Sequence, residues 1–314
     1  MWKRIDMKKM NLIGGIALVA FGLSPKLAAG PYADQVVSYQ TGSLPANLKS
    51  FTNAFAVLGA PSRETPGAFG GPVDPFSPPY LNSQLVSIGE GGSLTVRFEE
   101  PVVNLDQKEH LYGLDFLVYG NAGFVITNGN FSGGGITDGT LFGQAKPGGI
   151  QVLVSANNRD YYALKSALAP VIDSYYPTDG SGSFGIPVDP RLGSGDFAGR
   201  NLSELRALYA GSAGGSGFDL DWAVDEQGSP VFLDAISYLR IEVLSGHIDL
   251  EGFTAVTLIP EPGTGWLLFG GGLLLAWKGL LGSGGAERRK PTRPDQQARP
   301  SEACLPTPVN RWRG

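Results

Sequence analysis

Along most of the chain, short apolar runs alternate with polar positions at a period of two. In 93–98 (SLTVRF), Leu94, Val96 and Phe98 fall on one face. In 150–155 (IQVLVS) the same face carries Ile150, Val152 and Val154, and in 238–243 (YLRIEV) it carries Leu239, Ile241 and Val243. A period of two with β-branched and aromatic residues predicts strands. The last of these extends over 236–244, and further strands are predicted at 35–39, 85–88, 114–119, 161–164 and 248–259. Half-apolar alternation implies antiparallel sheets with one face in water, and many such strands in one chain imply an all-β sandwich.

One segment breaks this period. Asn201 followed by Glu204 is a capping pair, Leu202, Leu205, Leu208 and Tyr209 repeat at helical spacing, and Gly211 supplies a stop. A single short helix covering the sheet is expected there. The connections 63–81, 121–149, 173–199 and 210–217 are long and rich in Gly, Pro, Asn and Asp. In sandwiches such loops carry binding function.

Composition agrees with a turn-rich β protein: 46 Gly, 23 Pro and only 17% charged residues in 314. Charge is distributed unevenly. Between Pro31 and Pro262 there are 25 acidic and 11 basic side chains, a balance of about −14. That argues against nucleic acid as a partner and suits solubility and divalent cations. The one cysteine, Cys304, lies far from this middle region, so no disulfide and no Cys/His metal cluster is expected in it.

The two ends have patterns of their own. Residues 1–11 are basic, 12–24 (LIGGIALVAFGLS) apolar, and Ala28, Ala29 and Gly30 small. That is the plan of a secretory signal peptide over 1–30, with cleavage between Ala28 and Pro31. Towards the C-terminus, Pro260, Glu261 and Pro262 lead into an apolar stretch at about 263–282, followed by Arg288, Arg289 and Lys290. The stretch approaches the length of a transmembrane helix, and the basic cluster behind it obeys the positive-inside rule. Residues 31–258 are then expected outside the cytoplasm. Residues 291–314, rich in Pro and Arg, read as a disordered basic tail.

A Pro-Glu-Pro motif, a short hydrophobic helix and an Arg-rich cluster, in that order, resemble the PEP-CTERM sorting signal over 259–290. The resemblance implies recognition of Pro260, Glu261 and Pro262 by an exosortase, a membrane transpeptidase-like enzyme, in an organism that makes extracellular polysaccharide. It departs from the family pattern in the residues that continue past the basic cluster. The middle region, through blocks such as LVSIGEGGSLTVRFEEPV (85–102), YGLDFLVYGNAGF (112–124) and YLRIEVLSGHIDLEGFTAV (238–256), resembles the extracellular β-sandwich domains common in that family. That implies a jelly-roll plan similar to galactose-binding-like modules, but no reaction.

Chemistry is harder to read. His110 and His247 are the two histidines; both sit in polar turns and read as surface residues. No nucleophile elbow, P-loop, zinc-protease or dinucleotide motif occurs. Oxygen-rich positions suggest calcium as the candidate ion: Asp219 and Asp221, placed on one strand face; Asp115 and Asn121, flanking a strand; and Asp249 and Glu251, again on one face. For sugars, Trp222, Tyr175 and Tyr176 are the candidate stacking aromatics. The expected function is a non-enzymatic, exosortase-sorted protein of the cell surface or extracellular matrix that binds glycan, calcium or both. It would depend on the general secretion machinery, be held first in the inner membrane by its C-terminal helix, and then meet extracellular polysaccharide. The alternative is an exported carbohydrate-active enzyme on the same scaffold.

Overall fold

The computed structural model describes residues 30–145, 149–172 and 176–259. They belong to one compact unit that extends to Ile259; a second unit, Pro260–Gly314, lies outside the described residues. The predicted signal segment, the Pro-Glu-Pro motif, the span at 263–282 and the basic cluster therefore fall outside them as well. Among the described residues no helix is long and apolar enough to cross a membrane.

The fold is mostly β, built on two antiparallel sheets. The six-stranded sheet runs in the order Gln35–Gln40, Ser93–Val103, Ala235–Val243, Ile150–Ser155, Tyr162–Leu164, Ala223–Val224. The four-stranded sheet runs Ser216–Phe218, Phe116–Gly120, His247–Ala255, Val86–Gly89. All eight predicted strands are present, several with ends moved by a residue or more. The last stops at Ala255 because its neighbours leave the ladder: the Val256 N–H donates to Asp115 O and the Thr257 N–H to Gly185 O.

Register shows why the alternating residues matter. Leu239 pairs with Val96 on one side and Val154 on the other, and Ile241 likewise with Leu94 and Val152. These rows are buried and share a single core cluster with Phe116, Val118, Ile248, Leu250 and Phe253 of the four-stranded sheet. The two sheets thus pack face to face in a sandwich-like arrangement. Cross-strand rows of branched side chains are the unit that stabilises such a sheet.

The four-stranded sheet departs from the expectation of one wet face. Every residue of Phe116–Gly120 is buried. Phe116 and Val118 face the sandwich core, while Leu117 and Tyr119 pack on the other side with Phe184, Ala213 and Val256. The uninterrupted apolar run 116–119 is the pattern of a strand buried on both faces. Loop segments, not solvent, cover this sheet.

The helix Leu202–Tyr209 forms with the predicted cap: the Glu204 N–H donates to Asn201 Oδ1, and the Asn201 N–H to Glu204 Oε2. Its C-cap is Ala210, in the left-handed region at φ 51°, with Gly211 following at 90°. It does not cover the sandwich core. Leu205 and Tyr209 bury themselves in a separate cluster with Phe124, Tyr176, Val188 and Phe197. Arg206, on the same helix, meets the almost fully buried Asp179 with two hydrogen bonds, Nε–Oδ2 at 2.7 Å and Nη2–Oδ1 at 3.0 Å.

Candidate ligand-binding groove

Three turns converge beside the four-stranded sheet. The first, Leu111–Gly113, presents Tyr112. Tyr112 and Gly113 both adopt left-handed backbone, at φ 63° and 68°. A Cβ at residue 113 would lie 3.1 Å from Gln107 Cγ as well as being strained, so glycine is required there. For Tyr112 the conformation is unfavourable, and residues held this way are enriched at functional sites. The second turn, Leu220–Trp222, is capped by Asp219, whose side chain accepts from the Asp221 N–H at 2.8 Å. It presents Trp222, half-buried. The third is 189–192, held down by the Tyr176 hydroxyl, which donates to Leu192 O at 2.8 Å and Asp189 O at 3.2 Å.

Between them lies a groove of about 610 Å³ whose lining includes Tyr112, Tyr176, Trp222, Leu192, Val171 and Gln144. Its size is in the range of small-ligand sites, and its character, aromatic and apolar with few polar groups, is typical of them. Arg191 and Asp189 form an ion pair beside it, at 2.6 Å. The Arg191 hydrogen bonds hold the Asp189 carboxyl down at about 2. Burial first, and the nearby Asp189 carboxylate second, raise Tyr112 above its ordinary value, so its hydroxyl stays protonated and able to donate.

Asp115 organises this arrangement. It is fully buried. One carboxylate oxygen accepts from the Leu105 N–H at 3.0 Å and meets His110 Nδ1 at 2.9 Å; the other accepts from the Leu220 N–H at 2.8 Å. A single side chain thereby ties the turn before Tyr112 to the turn that holds Trp222.

These contacts correct several expectations. His110 is not a surface residue but is 3% exposed and bound to Asp115; His247 is exposed, as expected. Asp219 and Asp221 do not share a strand face, because they lie in the turn Leu220–Trp222 and its cap. Asp221 accepts from Asn104 Nδ2 at 2.9 Å. Asp249 accepts from the Ser87 hydroxyl. Glu251 is buried at a bulge, where the register shifts between Leu250 and Gly252, so the alternation that would align it with Asp249 is broken. Asn121 Oδ1 is buried without a hydrogen-bond partner among the described residues. The six candidate calcium ligands are thus spread over separate contacts. Among the described residues no three His, Cys, Asp or Glu side chains form a group able to hold a metal ion.

Of the candidate aromatics, Trp222 and Tyr176 do line one groove, and Tyr175 lies outside the described residues. Sequence reasoning missed Tyr112. The available signal was the Tyr-Gly pair between a polar turn and a strand, which suits a left-handed turn.

Asp219 is the most perturbed acid near the groove. Burial, then Asp115 and Asp221, push its carboxyl up to about 6 although the Asp221 N–H opposes this. It lies beside the groove rather than in its lining.

Compared with models of known protein families and with curated proteins, the chain gives no match.

Proposed function

We propose that this chain is an exported, exosortase-sorted protein of the cell surface or extracellular matrix, whose jelly-roll-like sandwich binds glycan without transforming it. The observation that carries the binding part is the convergence of Tyr112, Tyr176 and Trp222 on one groove. Aromatic faces stack on the apolar faces of pyranose rings. The Tyr112 hydroxyl and Gln144 in the lining, with the Asp189–Arg191 pair beside it, are the polar groups that would partner ring hydroxyls. The excess of acidic side chains between Pro31 and Pro262 favours a neutral polysaccharide over an acidic one and argues against nucleic acid. Export and sorting rest on the leader pattern and on the Pro260–Pro262 motif with its apolar stretch and basic cluster.

The binding test is affinity electrophoresis of the full chain through gels cast with neutral polysaccharides, beside Trp222→Ala. Retardation of the wild type that the variant loses supports the reading; unretarded migration in every gel overturns it. The sorting test is expression with and without an exosortase: a mass shift that needs the exosortase and the Pro260–Pro262 motif supports it.

A second reading is favoured by Asp219. A carboxyl raised to about 6 next to a carbohydrate-type groove could serve as a general acid. Release of reducing sugar by the wild type, abolished in Asp219→Asn, would establish an exported carbohydrate-active enzyme instead.

A further inference from the structure

A second cavity, of about 520 Å³, lies at the Ala223–Val224 edge of the six-stranded sheet and shares Pro170 and Val171 with the first groove. Its walls come from Ile150–Ser155, Tyr162–Leu164, Ala223–Val224, the segment 165–172 and Leu244, and no residue of the four-stranded sheet lines it. Here the 165–172 segment covers the inner side of the larger sheet in place of a strand. The deep wall is apolar: Val152, Leu164 and Ile172 are buried core residues. Among the described residues the polar lining consists of Gln151, Lys165 and Ser166, of which Lys165 is charged.

We infer that this cavity binds a medium-chain fatty acid, with the alkyl tail against Val152, Leu164 and Ile172 and the carboxylate at Lys165 and Ser166. Charge decides the head group. Lys165 is one of 11 basic side chains set against 25 acidic ones between Pro31 and Pro262, and among the described residues it makes no ion pair. A single ammonium with one hydroxyl beside it matches a monoanion. The turn that carries Lys165 is fixed through its backbone: its N–H donates to Trp222 O at 2.9 Å, and its carbonyl accepts from Leu168 and Ala169. The side chain itself is exposed and available. The apolar depth explains why a tail is needed: burial of each methylene is worth a severalfold gain in affinity, whereas an ammonium in water holds a lone carboxylate weakly.

The experiment is site-resolved lysine labelling of the full chain with an amine-reactive ester, read by peptide mass spectrometry. Lys49 and Lys108, both exposed, serve as internal references. Decanoate is expected to slow labelling of Lys165 at least about fivefold while leaving Lys49 and Lys108 unchanged; acetate, with no tail, and decanol, with no charge, should protect far less. Ser166→Asp, at an exposed position, should remove the protection without loss of folding. The proposal is overturned if decanoate leaves Lys165 unprotected, if it slows all three lysines alike, or if acetate or decanol protects equally well. None of these outcomes depends on whether the Trp222 groove binds glycan.

Discussion

His110 Nδ1 lies 2.9 Å from Asp115 Oδ1, and both residues are buried. A carboxylate oxygen only accepts, so the imidazole donates from Nδ1. With the Leu105 and Leu220 N–H groups, this gives Asp115 three donors inside the protein. An acid that could have been a metal ligand instead positions the two turns from which Tyr112 and Trp222 reach the groove.

Asp115→Ala leaves those three donors without an acceptor. Unsatisfied buried polar groups cost about 1–3 kcal/mol each, so a loss of roughly 3 kcal/mol or more is expected. Asp115→Asn keeps the shape but turns an N–H towards a donor, and should fall between the two. Urea denaturation measures both. Near-ultraviolet circular dichroism should lose part of the Trp222 signal in the alanine variant, Trp222 being the one tryptophan among the described residues.

Trp222→Ala should weaken polysaccharide binding at least about tenfold, in line with the ~1–3 kcal/mol that a desolvated anchor contributes, with the β-sheet circular dichroism unchanged. Tyr112→Gly separates side chain from backbone. It relieves the left-handed strain at residue 112, and should therefore reduce binding without a matching loss of stability.

Asp219 makes stability depend on pH. Its folded carboxyl is raised to about 6, above the unfolded value of about 3.9. The folded state therefore holds this proton more tightly than the unfolded chain. This group favours folding most below the unfolded value, and the advantage disappears as pH rises through about 6. Asp219→Asn, which still caps the Asp221 N–H, should raise the unfolding free energy measured in urea at pH 8 by roughly 1 kcal/mol once screening at this half-buried site is discounted. It should have little effect near pH 4. An equal effect at both pH values would refute the assignment.

The Arg206–Asp179 pair behaves in the opposite sense. Burial alone would raise Asp179, but the hydrogen bonds from Arg206 and Ser181 outweigh it and bring the carboxyl below its ordinary value. Its contribution is present above the unfolded value and lost as pH falls through the lower folded one. Arg206→Met strands a buried acid and should cost about 3 kcal/mol at pH 7. The deficit should shrink towards pH 4 as the stranded acid takes up a proton.

Because the candidate calcium ligands are already engaged elsewhere or kept apart, calcium added to chelator-treated protein should leave the melting temperature unchanged. A concentration-dependent rise would reveal ligand linkage and require a site that the described residues do not assemble.

The sheet strands were legible in the chain because a half-buried strand must alternate: Leu94/Val96/Phe98 and Leu239/Ile241/Val243 could serve one core only with a period of two. The helix Leu202–Tyr209 was legible for an equally local reason, since Asn201 and Glu204 cap each other within one turn. Trp222 and Tyr176 could be picked out as loop aromatics, but not as neighbours.

What local pattern could not decide was contact across long sequence separations. Asp115 and Leu220 are 105 positions apart, and Asp179 and Arg206 are 27 apart. An isolated aspartate has the same composition whether it binds an ion, faces water or accepts backbone N–H groups, so neither the hydrogen-bond partners of the candidate calcium ligands nor the burial of His110 could be read from it. The two-sided burial of Phe116–Gly120 and the two cavities belong to the same class, because they depend on which loops the completed sandwich brings over each sheet. Periodicity and capping act within a few residues, so the chain alone marked eight strands, the helix Leu202–Tyr209 and the all-β class, but not the short strands Ser216–Phe218 and Ala223–Val224 or the one-turn helix Ser194–Phe197. Partnership of buried polar groups is a property of the packed tertiary structure, and only that structure decided where a ligand could enter.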